Sequence, residues 1–278
     1  MTDRYAVIGN PIDHSKSPLI HGLFAKAADQ DMQYSTLLGE TSPGGFARAV
    51  DAFRAEGGSG MNVTVPFKTD AFAYATELSP DAQLAGAVNA LKFEDGRVLG
   101  QNFDGIGLVR DVQLNLGLPI AGRRVLVLGA GGATRGALLP LARAGANTIV
   151  IANRTSEKAR ALAQDFTPHA KGVTVQGCGL DALDDQVFDI VFNATSASLG
   201  AEMPVISPSV FAPGALAYDL VYGKGLTPFL RLARDAGRSR VVDGVGMLVE
   251  QAAEAFEWWR GVRPDTREVI TRLTVPLV

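Results

Sequence analysis

Apolar positions along the chain fall into short runs that alternate with helical patterns, and the runs change character near residue 104. Beyond that point they are continuous and rich in β-branched residues, as at residues 125–128 (VLVL) and 148–152 (TIVIA), and each is followed by a helical pattern. Continuous apolar strands that alternate with helices are typical of a parallel sheet covered by helices on both faces. The pattern therefore predicts an α/β fold with a parallel sheet in the second part of the chain.

The first hundred residues predict a separate α/β unit with shorter apolar runs. One run, at residues 5–8, stops at the turn-forming segment 9–11 (GNP). Residues 88–93 and 97–99 flank segment 94–96 (EDG) and predict a β-hairpin. The predicted strands are residues 5–8, 61–65, 88–93, 97–99, 125–128, 148–152, 173–176, 189–193, 215–219 and 240–242, and the predicted helices are residues 18–28, 71–78, 132–143, 156–166 and 247–260.

Composition and charge narrow the class of protein. The chain has 278 residues, of which 47% are hydrophobic and 20% charged, so it can build a globular core. Its net charge of -3 lacks the basic excess of a nucleic-acid-binding protein. A single cysteine, Cys178, excludes an internal disulfide and suits a reducing cytosol. The sequence shows no secretory leader and no run of about 20 apolar residues. We therefore expect a cytoplasmic protein that binds neither nucleic acid nor membrane.

A glycine-rich turn follows the strand at residues 125–128 and opens the next helix. Its residues are Gly129, Ala130, Gly131, Gly132 and Ala133. Glycines at such a turn let the backbone approach a pyrophosphate, whose negative charge is stabilised by the helix N-terminus. Thr134 stands where the usual fingerprint has its third glycine, so the pattern is a variant. A strand, a helix and a second strand surround the turn, and this context predicts a dinucleotide site.

The end of the second strand of this unit predicts which dinucleotide binds. Enzymes that use NAD usually carry an acidic residue there, which accepts a hydrogen bond from the ribose 2′-hydroxyl. This strand ends instead in Asn153, Arg154 and Thr155, with Lys158 and Arg160 just beyond. A solvated helix face would explain the cations taken alone. Together with the missing carboxylate, they favour the 2′-phosphate of NADP.

Three polar clusters in the first unit suggest a substrate site. Ser15 and Ser17 precede a helix predicted from residue 18, and their hydroxyls could hold a carboxylate, although Ser17 could equally be an ordinary N-cap. The second cluster lies within the strand predicted at residues 61–65, where alternation places Asn62 and Thr64 on one face.

Lys68 comes just after that strand and could reach the same ligand. The third cluster adds an amide at Asn89 and a carboxylate at Asp104. Such a set of amide, hydroxyl, ammonium and carboxylate groups is suited to binding a small polyhydroxylated acid.

At these residues the chain resembles the shikimate dehydrogenase family, and the resemblance extends over almost its whole length. The motifs that carry it are HSKSP (14–18), NVTVPFK (62–68), AGAVN (85–89), NFDGIG (102–107), GAGGATRG (129–136), NRT (153–155), NATS (193–196), YDLVY (218–222) and DGVGMLVEQ (243–251). The resemblance implies two domains. Residues 1–104 with 243–278 would form an α/β substrate-binding domain, and residues 105–242 an inserted Rossmann-type NADP-binding domain.

The resemblance also implies roles for the matching residues. Ser15 and Ser17 would hold the substrate carboxylate, while Asn62, Thr64, Lys68, Asn89, Asp104, Tyr222 and Gln251 would surround the ring. Gly129 to Ala133 would hold the pyrophosphate. Asn153, Arg154 and Thr155, with Lys158, would bind the adenosine phosphate, and Thr195, Leu220 and Gly244 would line the nicotinamide end.

Two positions depart from the family pattern. Phe103 stands where the family commonly has threonine, so we expect one polar contact near the substrate to be lost. Lys158 stands where the family tends to have arginine. Because lysine offers a point charge and not a planar fork, we expect weaker binding of the 2′-phosphate. Neither departure touches Lys68 or Asp104.

Oxidation of a secondary alcohol removes a hydride from the alcohol carbon and a proton from its oxygen, and reduction of the ketone adds both back. A nicotinamide handles the hydride, and the protein must handle the proton. We expect Lys68 to act as the general acid and base, with Asp104 as its orienting partner. The spacing of His14, His21 and His169 suits no metal site, so we expect no metal.

Three alternatives remain at this stage. The first is a quinate/shikimate dehydrogenase of the same family with relaxed cofactor use, and the second is a non-catalytic regulator that kept the cofactor-binding fold. The third is a methylenetetrahydrofolate-type dehydrogenase, which shares the two-domain logic but does not need an anion pocket at Ser15 and Ser17. The sequence leaves open whether the protein is a monomer or a homodimer.

Overall fold

The computed structural model describes residues 2–195, 205–237 and 239–278. The chain divides into two compact units, one comprising Met1–Gly107 with Val249–Val269 and the other Leu108–Leu248 with Ile270–Val278. Residues 270–278, which the resemblance assigns to the substrate-binding domain, group with the second unit.

The first unit is built on a mixed sheet. Its strands, in chain order, are β1 (Asp3–Gly9), β2 (Met32–Leu38), β3 (Gly58–Val63), β4 (Glu77–Leu78), β5 (Ala90–Glu94) and β6 (Arg97–Gln101). They lie in the order β2-β1-β3-β5-β6-β4, with β1 parallel to both β2 and β3 and β5 antiparallel to both β3 and β6. The predicted hairpin, β5 and β6, is confirmed.

The second unit contains an all-parallel sheet. Its strands are β7 (Arg124–Leu128), β8 (Thr148–Asn153), β9 (Thr174–Gly179), β10 (Phe188–Asn193), β11 (Phe211–Asp219) and β12 (Ser239–Val242). The order β12-β11-β10-β7-β8-β9 corresponds to 6-5-4-1-2-3 counted within this unit, which is the doubly wound order of dinucleotide-binding folds. In such sheets ligands bind outside the carboxyl ends of the strands where the order reverses, and here that point lies between β7 and β10. The predicted α/β fold with a parallel sheet is confirmed.

The helices follow the strands as the alternating pattern predicts. Among the described residues they are α1 (Ser17–Ala27), α2 (Gly45–Ala55), α3 (Lys68–Tyr74), α4 (Pro80–Ala85), α5 (Asp104–Arg110), α6 (Gly132–Arg143), α7 (Ser156–Phe166), α8 (Pro228–Asp235), α9 (Val245–Arg260) and α10 (Arg267–Leu273).

Near its C-terminal end, α9 packs against the sheet of the first unit. The Trp259 indole donates a hydrogen bond to the carbonyl oxygen of Leu91 at 3.0 Å and stacks on Tyr5. A Cβ at Gly60 would lie 2.7 Å from Trp259 Nε1, so only glycine allows this close approach. The indole thus fixes the C-terminal end of α9 against β5, the strand that follows Asn89.

Several predicted element boundaries were wrong. The helix predicted at 71–78 is α3, which ends at Tyr74; Thr76 then exchanges hydrogen bonds with Val98, and residues 77–78 join the sheet as β4. The strand predicted at 61–65 ends at Val63, because the Phe67 N–H closes a turn onto the Thr64 carbonyl. Ser17 is not an N-cap: α1 begins at this residue, and Lys16 occupies the cap position without a side-chain hydrogen bond.

Candidate active site

Lys68 and Asp104, each the first residue of a helix, meet in the first unit. Lys68 Nζ lies 2.6 Å from Asp104 Oδ2, and the two side chains are 30% and 17% exposed, so the pair is sheltered but open to a ligand. Asp104 is held by Asn102, whose Oδ1 accepts the Asp104 N–H at 3.1 Å and whose amide donates to the Ala87 carbonyl. The structure therefore brings together the two residues predicted to carry the proton chemistry.

The second carboxylate oxygen of Asp104 is also bound. Asn89 Nδ2 lies 2.9 Å from Asp104 Oδ1 and 3.3 Å from Gln251 Oε1, and Asn89 Oδ1 accepts the Phe103 N–H at 2.9 Å. These bonds fix the direction of the Asn89 amide. Four of the predicted substrate residues, Lys68, Asn89, Asp104 and Gln251, thus form one hydrogen-bonded group.

Asn62 lies within β3, and Thr64 follows directly after the end of that strand. Asn62 is 6% exposed and uses its Nδ2 to donate to the Asn89 carbonyl at 3.3 Å, while its Oδ1 accepts the Tyr34 hydroxyl. Thr64 lies beyond the end of β3 and is half-buried, with its methyl group against Gly9. The Thr64 N–H still donates to the Ile8 carbonyl at 3.0 Å, so the backbone keeps its pairing with β1 one residue beyond β3.

Ser15 and Ser17 are half-buried at the start of α1. The Ser15 hydroxyl accepts the Ser17 N–H at 3.3 Å, which ties the two serines to each other. The remaining predicted substrate residue, Tyr222, belongs to the second unit and is 41% exposed.

The glycine-rich turn of the second unit fits a pyrophosphate. Gly129 has φ +104°, a conformation that L side chains rarely adopt. A Cβ built at Gly131 or Gly132 would meet nothing within 4 Å, so the backbone is open to a ligand where the 12-residue helix α6 begins. Thr134 is buried and donates its hydroxyl proton to the Gly129 carbonyl at 2.9 Å. That bond explains how the turn closes without the third glycine.

At the end of β8, the predicted 2′-phosphate residues are mostly exposed. Asn153 is the last strand residue and donates to the Thr155 carbonyl at 3.0 Å, and Thr155 is the N-cap of α7. Arg154 and Lys158 extend into solvent, and within the described part of the chain neither forms an ion pair. Both cations are therefore available to an anionic ligand at a strand end that carries no competing carboxylate.

The residues predicted at the nicotinamide end lie close together. The Leu220 N–H donates to the Asn193 carbonyl at 3.0 Å, and Asn193 Oδ1 accepts both the N–H and the hydroxyl of Thr195. A Cβ at Gly244 would lie 2.3 Å from the Leu220 carbonyl oxygen, so glycine is required there. The fully buried Asp219 carboxylate accepts hydrogen bonds from the Asn193 amide and the Thr227 hydroxyl. These bonds hold the Asn193 side chain, which in turn binds Thr195.

Four residues around these sites, Tyr34, His21, Asn193 and Asp219, were not predicted as site residues from the sequence. Tyr34 lies on β2, an edge strand whose residues are all half-buried or exposed, so no continuous apolar run marks it. Asn193 and Asp219 stand at the carboxyl ends of the predicted strands 189–193 and 215–219, which is the signal that could have identified them. Among the residues that the structure describes, no three His, Cys, Asp or Glu side chains gather as metal ligands would.

These features define a class. The doubly wound sheet with its open glycine turn and exposed cations suits a dinucleotide bearing an extra phosphate. In the first unit, the Lys68–Asp104 ion pair is surrounded by amide side chains, and such a pair suits proton transfer to or from a small polar molecule. The arrangement is that of an NADP-dependent oxidoreductase acting on a CH–OH group.

Comparisons with known proteins identify the family. The chain matches the models for the shikimate dehydrogenase substrate binding domain at residues 7–91, shikimate / quinate 5-dehydrogenase at 112–207 and the shikimate 5′-dehydrogenase C-terminal domain at 244–273. It is 54% identical to a shikimate dehydrogenase (NADP(+)) of Chromobacterium violaceum, with 98% of both chains covered. The chain belongs to the shikimate dehydrogenase family.

Two solved structures show the same fold. One, of an Ael1 enzyme from Pseudomonas putida, has a TM-score of 0.94 and 58% identity, with 100% of both chains covered. The other is shikimate 5-dehydrogenase from Thermus thermophilus in complex with NADP(H) and shikimate. It has a TM-score of 0.84 and 32% identity, and the match covers 98% of this chain and 100% of that one.

Proposed function

We propose that this chain catalyses the reversible NADPH-dependent reduction of 3-dehydroshikimate to shikimate, in the biosynthesis of aromatic amino acids. Full-length relatives at 52–54% identity are named for this activity. The observation that carries the proposal within the chain is the Lys68–Asp104 pair at 2.6 Å, with Asn89 on the other carboxylate oxygen.

Lys68 is the proton donor in this proposal. When bound, NADPH supplies the hydride to the carbonyl carbon, and the carbonyl oxygen must then gain a proton. Lys68 Nζ gives its proton to that oxygen in the direction of reduction and takes it from the hydroxyl in the direction of oxidation. Asp104 holds the ammonium in place and accepts a hydrogen bond from the substrate hydroxyl.

The remaining residues orient the two ligands. Ser15 and Ser17 bind the substrate carboxylate, while Asn62, Thr64, Asn89, Gln251 and Tyr222 meet the ring oxygens. Supporting this are hydrogen bonds that link three of these residues to the Lys68–Asp104 pair: Asn89 bonds Asp104 directly, and Asn62 and Gln251 bond Asn89. On the cofactor side the pyrophosphate is held by Gly129, Ala130, Gly131, Gly132 and Ala133, the adenosine phosphate by Asn153, Arg154, Thr155 and Lys158, and the nicotinamide end by Thr195, Leu220 and Gly244.

A four-way rate comparison tests the function. Shikimate or quinate is mixed with NADP or NAD, and reduction of the cofactor is followed at 340 nm. The proposal expects the highest kcat/KM with shikimate and NADP. Turnover that favours quinate or NAD would assign the quinate/shikimate alternative, and cofactor binding without turnover in every mixture would assign the non-catalytic regulator.

Compartment and assembly are part of the same proposal. Over the described residues, no helix is both long and apolar enough to cross a membrane. We propose a cytoplasmic enzyme whose partner is its small-molecule substrate, and which works as a monomer or homodimer. Cell fractionation tests the location, and light scattering during gel filtration gives the mass of the particle.

A further inference from the structure

Tyr34, on the edge strand β2, presents its hydroxyl to the substrate residues of the first unit. The hydroxyl donates to Asn62 Oδ1 at 2.6 Å, a short and well-formed bond. The ring of Tyr34 is held by stacking on His21, with centroids 4.2 Å apart and planes 7° from parallel. Stacking on His21 therefore holds the Tyr34 ring, and with it the hydroxyl, in one position.

The His21 ring that stacks on Tyr34 is uncharged. It is fully buried, and burial lowers its pKa to about 3, against a weaker opposing effect of Asn62. The ring also lies against Trp259 and Phe256, which are anchored in the same unit. An uncharged imidazole leaves the Tyr34 proton directed at Asn62.

The bond from Tyr34 determines which way the Asn62 amide faces. An amide can present either its oxygen or its nitrogen to a neighbour, and only its oxygen can accept the tyrosine proton. With Oδ1 toward Tyr34, Nδ2 is turned to the Asn89 carbonyl at 3.3 Å. The side chain of Asn89 continues to Asp104 Oδ1, and Asp104 Oδ2 meets Lys68.

Hydrogen bonds thus run without a break from Tyr34 through Asn62, Asn89 and Asp104 to Lys68. Tyr34 is not among the substrate-site residues assigned above.

We propose that Tyr34 is a positioning residue of the substrate site: its hydroxyl fixes the Asn62 amide in the direction that the substrate needs. The inference rests on the proposed function, because it assumes that Asn62 faces shikimate. Tyr34 acts through Asn62 and carries no step of the reaction.

The variant Tyr34→Phe tests the proposal, since it removes the hydroxyl and keeps the ring on His21. Shikimate KM, and shikimate Kd measured by calorimetry without cofactor, are expected to rise about three- to tenfold, the usual effect of losing one uncharged hydrogen bond. The value of kcat and the KM for NADP are expected to stay near those of the wild type. An unchanged shikimate Kd would overturn the proposal, as would an equal rise in the KM for NADP, which would mean general damage to the fold.

Two further variants make the result specific. Tyr74→Phe is the matched control: this tyrosine hydroxyl bonds Asp51 and Arg54 on the surface of the same unit, so its loss should leave shikimate binding unchanged. Adding Tyr34→Phe to Asn62→Ala should weaken shikimate binding no further than Asn62→Ala alone. Fully additive losses would contradict positioning through Asn62.

Failure of the inference and failure of the proposed function give different results. If the wild type shows no turnover with shikimate, the proposed function is wrong. If Ser17→Ala weakens shikimate binding in an active enzyme while Tyr34→Phe does not, only the role of Tyr34 is wrong.

Discussion

Lys68 begins α3 and Asp104 begins α5, and the two side chains meet at 2.6 Å although they are 36 positions apart in the sequence. The ammonium of Lys68 stands at a helix N-terminus, where the helix dipole disfavours a cation. The Asp104 carboxylate supplies the compensating charge, and its own position at the first turn of α5 is electrostatically favourable. Two helix starts thus place an ammonium and a carboxylate side by side, as the proposed proton transfer requires.

Replacing Asp104 by asparagine keeps the shape and removes the charge. We expect kcat/KM for shikimate to fall about 10- to 100-fold, the loss expected for a hydrogen bond to a charged group. The physical reason is that the Lys68 ammonium loses its counter-charge and the Asn89 amide loses a carboxylate acceptor. Steady-state kinetics check this, and an unchanged kcat/KM would remove Asp104 from the mechanism.

The second prediction concerns the preference for NADP. Arg154→Ala should raise the KM for NADP about tenfold or more, because a charge-assisted bond to the 2′-phosphate is lost. The KM for NAD should stay within about twofold, since NAD has no phosphate there. Lys158→Arg should lower the KM for NADP, because a guanidinium offers a fork to the phosphate. If Arg154→Ala raised the KM for NAD as much as the KM for NADP, Arg154 would not be a 2′-phosphate contact.

Phe103 provides the third prediction. Phenylalanine at this position was expected to cost a polar contact near the substrate. In the structure its side chain is 6% exposed and packs in an aromatic cluster, with its ring edge-to-face against Trp258 at 5.7 Å. Phe103→Thr should therefore lower the free energy of unfolding by about 3 kcal/mol by leaving a cavity.

Shikimate KM should change little in the same Phe103→Thr variant. Urea denaturation and kinetics measured on one preparation give both quantities. A tighter KM with little loss of stability would show that the position 103 side chain faces the substrate after all.

The sequence predicted the second unit better than the first, for physical reasons. The central strands of the parallel sheet, β7, β8 and β10, are almost fully buried, so their apolar runs are continuous, and the predicted ligand residues follow directly at the strand ends. In the first unit, β2 is a half-exposed edge strand, which hid Tyr34. The orientation of the Asn62 amide depends on a hydrogen bond from Tyr34, which is 28 positions away in the sequence. No local sequence pattern predicts such a bond.

His21 predicts a pH dependence of stability. Its folded pKa of about 3 lies below the ordinary value of 6.5, so the unfolded chain binds a proton first as the pH falls. Stability is therefore lost as pH falls below 6.5, by about 2 kcal/mol between pH 7 and pH 5 from this residue alone.

The test is the difference in unfolding free energy between pH 7 and pH 5, measured by urea denaturation. In His21→Phe the loss of stability on acidification should shrink by most of that amount, whatever the absolute stability of the variant. An identical slope in wild type and His21→Phe would show that His21 titrates normally.

The most direct test of the account is Lys68→Ala, with kcat measured at 340 nm and shikimate Kd measured by calorimetry. If Lys68 transfers the proton, kcat should fall at least about 100-fold, the contribution of a general acid or base. Shikimate affinity should stay within about tenfold of the wild type. Near-normal kcat together with a large loss of affinity would contradict the account and make Lys68 a binding residue only.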